Sequence, residues 1–393
     1  MNRLKGNLIK LSKISDTDCG VTRVSYTPTY SKGRELVKIF MQEAGLETKV
    51  DPVGNLIGRW EGQYADKSVI AMGSHIDTVP NGGRFDGAVG VLGAIEVVRT
   101  LKEIKYCPIH PIEVISFINE EGSPSVDIGG VFGSRAMMGL ININKDLEQE
   151  LVKINLSKED IINSYRDPKQ FKCYVEVHIE QGSVLEKNHI SIGIVTGIVG
   201  SWRFLGKIKG VASHAGTTPM NQRDDALLKS LPVVKYVNEI AKQIDKNMVG
   251  TVGALIVKPG ATNVIPGEVI LKLEFRSINK NYSEKAIMML RDKMNLLGVS
   301  ILKEVAKADP VLLDNKLQDL IKQVCKQKGI TYNKMHSFAG HDSRETGKKI
   351  PSALIFIPSQ DGISHSPKEY TPDDAIDKGI FVLLETIKQL DSM

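Results

Sequence analysis

Four short strand-like segments, three of them apolar runs and one alternating, each leading into histidine, carboxylates or glycine, constrain this chain more than any other feature. VIAMGS leads into His75, Asp77 and Asp86, and IEVISFI into Asn119, Glu120, Glu121 and Gly122. CYVEVHIEQG carries His178, Gln181 and Gly182, and ALIFIPS precedes His365. The runs read as strands, while GVLGAIEVVRTLKEI and the segment after the capping-box pattern Ser157 to Asp160 read as helices. Their alternation predicts an α/β domain around a mainly parallel sheet, with its chemistry at the carboxyl ends of the strands.

At 393 residues the chain exceeds the size at which single cores stop growing, so two domains are expected. SWRFLGKIKGVA, GTVGALIVK and EVILKLEFRSI read as half-exposed strands interleaved with helices near 224–244 and 282–296. After about residue 310 the pattern returns to helix, strand and a long terminal helix from about 373. The reading is a discontinuous metal-binding domain, residues 1–199 and 310–393, interrupted by an α+β insert at 200–309.

The formal charge of +5 is small for this length and its lysines are scattered among acids, so nucleic acid is not the implied partner. Cys19, Cys107, Cys173 and Cys325 form no CxxC pair, which argues against a zinc knuckle or a disulfide framework. Neither a leader-like h-region nor a membrane-length apolar stretch is present, and a cytoplasmic location is expected.

Taken singly, each strand-end motif has a bland reading. His75 with Asp77 could be surface polarity, Glu120 with Glu121 two solvated acids, and His178 a core histidine. Together, four strand ends deliver His, Asp, Glu, His and His in one domain, a donor set that suits zinc, manganese, cobalt or nickel. Adjacent residues on an extended chain point opposite ways, so one of Glu120 and Glu121 can hold a metal while the other faces a water molecule.

These residues resemble the N-carbamoyl-L-amino acid hydrolase and allantoate amidohydrolase family, a branch of the dinuclear zinc peptidases. The likeness runs through GVTRVSYTP (20–28), VGNLIGR (53–59), GSHIDTVPNGGRFDG (73–87), NEEGS (119–123), GSRAMMG (133–139) and HIEQG (178–182). It continues in ASHAGTTPM (212–220), NVIPGEV (263–269), FRSI (275–278), AGHDS (339–343) and GISHSPKE (362–369). The fold it implies is a phosphorylase/hydrolase-like mixed sheet flanked by helices, with the insert as a ferredoxin-like dimerisation or lid domain. The resemblance implies two divalent ions per subunit, zinc foremost, with Asp86 bridging, His75 and His178 completing one site, and Glu121 and His365 the other. Glu120 becomes the general base, and Asp77 accepts a hydrogen bond from the His75 imidazole.

In the insert the same resemblance assigns Asn263 and Arg276 to a substrate carboxylate and His214 to the developing oxyanion, with His214 supplied by the partner subunit of a homodimer. Gln181 and Gly340 are carried over as hydrogen-bonding groups near the ureido moiety, and His341 and Asp342 as neighbours of the pocket. The expected reaction is hydrolysis of an N-carbamoyl-L-amino acid, with allantoate and ureidoglycolate as rival substrates. A dipeptidase or acyl-amino-acid hydrolase, and a non-catalytic ligand-binding protein on the same fold, are the other readings. His178 weighs against the peptidase, since the wider clan usually places a carboxylate there, and Glu120 weighs against the binder. SPSVDIGGVFGSR (123–135) and Phe338 depart from the pattern of relatives and bear on the pocket that reads the substrate side chain.

Overall fold

The structure, a computed structural model, describes residues 2–296 and 301–393. The chain divides into two compact units, one formed by residues 1–196 with 313–393 and the other by 197–312. The borders thus fall three residues away from those read in the sequence, and residues 297–300 of the insert lie outside the described residues.

Thirteen strands are present among the described residues: β1 Glu47–Val50, β2 Leu56–Trp60, β3 Val69–His75, β4 Ile112–Phe117, β5 Phe171–Ile179, β6 Ile192–Ile198, β7 Gly200–Lys209, β8 Val249–Lys258, β9 Glu268–Ser277, β10 Ile301–Ala308, β11 Val311–Leu312, β12 Tyr332–Ser337 and β13 Ser352–Ile357. Nine of them form one sheet ordered β1-β2-β4-β3-β5-β13-β6-β11, with β12 also paired to β6. The four central strands β4, β3, β5 and β13 run parallel, whereas β1, β2, β6 and β11 join antiparallel. The sheet is therefore mixed around a parallel centre rather than mainly parallel.

The central strands explain their own sequences. β3, β4 and β13 are buried along their whole length, as parallel strands covered on both faces must be. On one face Ile70, Met72, Val175 and Ile355 pack against Leu92 and Ile95 of the helix Ala88–Glu103 and Ile380 and Leu383 of the helix Asp373–Ser392. On the other, Ala71, Ile115, Phe117 and Tyr174 meet Met137 of the helix Phe132–Met137. Ser157 and Asp160 form the capping box read in the sequence.

In the second unit four antiparallel strands are ordered β10-β7-β9-β8. With the helices Ala226–Ile244 and Lys280–Leu296 the chain order is βαββαβ, a ferredoxin-like arrangement. Burial alternates along β7 and β9, and the inward set, including Phe204, Leu271, Leu273 and Phe275, packs on Val233, Val237 and Leu290 of the helices. No helix among the described residues is long and apolar enough to cross a membrane.

Candidate metal centre

The parallel centre of the large sheet puts four loop sources side by side. β3 ends at His75, and its neighbour β5 carries His178 one residue before its end. β4 runs into the turn holding Glu120 and Glu121, and the loop after β13 holds His365. Asp86 precedes the helix Ala88–Glu103, which Gly87 enters at φ +62°, in the left-handed region open to glycine. A Cβ on Gly87 would lie 2.5 Å from the His75 ring, so this position admits no larger residue without moving the imidazole.

Asp86 is the common element. His178 Nε2 lies 3.1 Å and His75 Nε2 3.6 Å from its Oδ1. On the other side, His365 Nε2 is 3.4 Å from Asp86 Oδ2 and 3.2 Å from Glu121 Oε1. Two candidate ligand groups result, His75–Asp86–His178 and Asp86–Glu121–His365, joined by one carboxylate. All five residues expected as ligands are thus brought together. Glu120 stands beside them with Oε2 3.6 Å from His75 Nε2, and Gly340 faces its Oε1, which lies 3.8 Å from where a Cβ would sit.

The buried histidines are oriented for ligation. His75 Nδ1 lies 3.1 Å from the carbonyl oxygen of Asp77, and His178 Nδ1 2.9 Å from that of Ile179. A protonated Nδ1 donating to each carbonyl leaves the Nε2 lone pair directed at the shared carboxylate, as a metal ligand requires. Here the sequence reading needs correction. The Asp77 carboxylate is 3.7 Å from His75 Nδ1, and it is the backbone oxygen of Asp77, at 3.1 Å, that takes the hydrogen bond. The carboxylate instead accepts the backbone N–H of Glu120 at 3.3 Å and of Glu121 at 3.1 Å.

Electrostatics within the cluster are uneven. Burial alone would raise the Asp86 carboxyl, but His178, then His365 and His75, outweigh it and hold it well below the usual carboxylate range. Glu120 moves oppositely, pushed well above that range by burial and then by the charges of Glu121, Asp342, Asp77 and Asp86. Burial and Asp86 likewise raise Glu121. Hydrogen bonds with Asp86 and Glu121 raise His365 to about 10, and Asp86 raises His178 to about 9 against the effect of burial. Buried acids in mutual repulsion beside imidazoles drawn toward the cationic form mark excess negative charge, which divalent cations on this donor set would neutralise. The residues present therefore fit a metal centre.

Gln181, at φ +57°, donates from Nε2 to Asp86 Oδ2 at 2.8 Å. His341 is buried with its ring edge-on to His178, centroids 4.5 Å apart, and Nε2 2.9 Å from Ser337 Oγ. Behind them Glu176 accepts from Ser74 Oγ at 2.7 Å and from the N–H of Ser343 at 2.8 Å. Sequence reasoning did not single out Arg23, whose buried guanidinium donates to the carbonyls of Ile76, Leu11 and Ile14. It also passed over Glu369, although the GISHSPKE motif contains both this residue and His365. The pairing of Glu369 with Phe85 and Asp86 spans more than 280 residues and leaves no local signal.

In the second unit His214 and Asn263 lie on adjoining extended segments, with His214 bridged to Val264 and the N–H of Ala215 donating to the Asn263 carbonyl at 2.9 Å. His214 Nδ1 accepts from the N–H of Gly216 and Thr217. Arg276 is paired with Glu274 at 2.9 Å, near the opposite end of β9. From Glu268, where the ladder approaches Asn263, to Arg276 is about 27 Å at 3.4 Å per residue. One copy of the unit therefore separates Arg276 from the His214 and Asn263 pair.

Comparison with known proteins adds three findings. The sequence profile described as "Peptidase family M20/M25/M40" matches residues 71–389. The N-carbamoyl-L-amino-acid amidohydrolase of Paenarthrobacter aurescens is 35% identical over 408 residues, covering 99% of this chain and 98% of that protein, and the allantoate amidohydrolase of Bacillus subtilis is 33% identical, covering 96% and 94%. Among solved structures, an amidase of the hydantoinase/carbamoylase family from Burkholderia multivorans superimposes with a TM-score of 0.90 at 32% identity, covering 100% of this chain and 98% of that one.

Proposed function

The chain belongs to peptidase family M20/M25/M40, a metal-dependent family of hydrolases, and from that premise we propose that it cleaves the ureido C–N bond of a small carboxylate substrate, an N-carbamoyl-L-amino acid. The observation that carries the reading is the single Asp86 carboxylate shared by two ligand groups with Glu120 at their edge. His75, Asp86 and His178 would hold one divalent ion, and Asp86, Glu121 and His365 a second, zinc before manganese, cobalt or nickel. When bound, such ions acidify the attacking water and polarise the scissile carbonyl.

The chain's own groups do the rest. Glu120 takes the proton from the attacking water onto its carboxylate and passes it to the leaving nitrogen. Burial and the neighbouring acids raise its proton affinity, which suits a group that takes up a proton and hands it on. Asp77 fixes the backbone of the Glu120 and Glu121 turn. Gln181 and Gly340 border the place where the ureido group would lie.

Arg276 and Asn263 are proposed to bind the substrate carboxylate and His214 to donate to the developing oxyanion. No small substrate spans the distance that separates them in one copy, which supports a homodimer in which a partner supplies His214 and Asn263. The relatives named for N-carbamoyl-L-amino acids and for allantoate make allantoate the nearest rival, with ureidoglycolate beside it. Assay of the purified protein against N-carbamoyl amino acids, allantoate, ureidoglycolate and 3-ureidopropionate tests the assignment. Turnover of acetylated amino acids or dipeptides with none of these four would overturn it.

A further inference from the structure

Glu369 has no part in the chemistry above, yet it is 2% exposed and its carboxylate lies between the two loops that supply Asp86 and His365. Oε1 accepts the backbone N–H of Phe85 at 2.9 Å and of Asp86 at 3.1 Å. Oε2 lies 3.1 Å from Ser364 Oγ, and that hydroxyl is also 2.9 Å from Asp86 Oδ2. A Cβ on Gly83 would lie 1.9 Å from Glu369 Oε1, so residue 83 must be glycine for the carboxylate to seat here. The backbone of Glu369 closes a turn onto the Ser366 carbonyl at 3.0 Å, directly after His365, which sits at φ +54°. A non-glycine residue in that region persists only where its surroundings fix it. The Phe85 and Tyr370 rings, edge to face at 6.0 Å, add an apolar contact between the same two loops.

Building on the two-ion reading above, we infer that Glu369 is a positioning residue whose carboxylate joins the Asp86 and His365 loops and thereby forms the ion site shared by Asp86, Glu121 and His365. The other group depends on it less. His75 is also held by the fit of Gly87 against its ring, and both imidazoles by Nδ1 against the carbonyls of Asp77 and Ile179.

The test is a Co2+ titration of the chelator-stripped full chain, followed by visible absorbance and calorimetry, with circular dichroism as the check on folding. Glu369→Ala is expected to weaken one of the two ions at least about tenfold, the loss typical of removing a group that orients a ligand, while the other stays within about threefold. Glu369→Gln should restore most of that affinity, because its amide oxygen still accepts both N–H groups and its nitrogen donates to Ser364. Wild-type affinity for both ions in Glu369→Ala overturns the inference, and so does a Glu369→Gln variant as weak as the alanine. If Glu369→Ala does not fold, Gly83→Ala decides, since its Cβ would displace the Glu369 carboxylate while meeting none of Asp86, Glu121 or His365. Weakening of a single ion supports the inference and unchanged affinity rejects it. Failure of the wild type itself to take up two ions would count against the proposed function instead.

Discussion

The carboxylate of Asp77 accepts the backbone N–H of Glu121 at 3.1 Å, tying the strand end that presents His75 to the turn that presents the two glutamates. Asp77→Ala would leave that N–H and its neighbour on Glu120 without an acceptor in a buried setting. Turnover is expected to fall about 10- to 100-fold and the unfolding midpoint with it, since each orphaned donor costs about 1–3 kcal/mol. Asp77→Asn, which keeps one acceptor oxygen, should lose less, and steady-state kinetics on both variants read the difference.

Glu120→Gln keeps the shape of the site and removes the proposed base. Turnover is expected to drop about 10²- to 10⁴-fold while metal content by elemental analysis stays at the wild-type level. Full activity in this variant would remove Glu120 from its role.

Asp86→Ala takes a ligand from both groups at once. Loss of both ions along with activity is expected, whereas His365→Ala should spare the ion held by His75 and His178. Metal per chain after dialysis separates the two results.

Chelation should abolish turnover and lower the unfolding midpoint, since each ion present at a hundred times its Kd stabilises the folded chain by about 2.7 kcal/mol. Re-addition of Zn2+, Mn2+, Co2+ or Ni2+ in turn, followed by assay and melting, identifies which cation restores both.

Away from the centre, burial raises the Asp51 carboxyl to about 6, despite hydrogen bonds from Asn55 and Gly54 that favour its charged form. A carboxyl that binds its proton more tightly when folded favours the native state fully below its ordinary pKa of 3.8. The contribution is lost as pH rises through about 6. Unfolding free energy from this group should therefore fall by about 2 kcal/mol between pH 4 and 7. Urea denaturation across that window should show the slope in the wild type and a flatter one in Asp51→Asn.

If the ends of β9 serve different active sites, His214→Ala and Arg276→Ala should each be inactive alone. Mixed after partial denaturation, they should regain about a quarter of wild-type activity, since half of the randomly formed dimers carry one intact site. No recovery, with dimers confirmed by sedimentation, would reject the shared site.

Much of this was readable in advance, for a physical reason. Strands covered on both faces are mostly apolar, so the change to polar, glycine-bearing loops after His75, Phe117, Ile179 and Ile357 marks strand ends, although β4 holds Glu113 and β5 holds Glu176 and His178 within the strand. What was not readable depended on register or distant pairing. The antiparallel edges of the sheet leave no mark on the apolar content of β3 or β13. The true acceptor for His75 is a main-chain oxygen, which no side-chain pattern reveals. Glu369 is an ordinary acid in a loop until the fold sets it against Gly83 and Asp86.

The place of β13 between β5 and β6 has a consequence for synthesis. Until residues 313–393 leave the ribosome, β5 carries an open hydrogen-bonding seam that invites pairing with other chains. The final strand seals that seam, and the loop behind it delivers His365, so a nascent or prematurely terminated chain is sticky and chemically inert for the same reason.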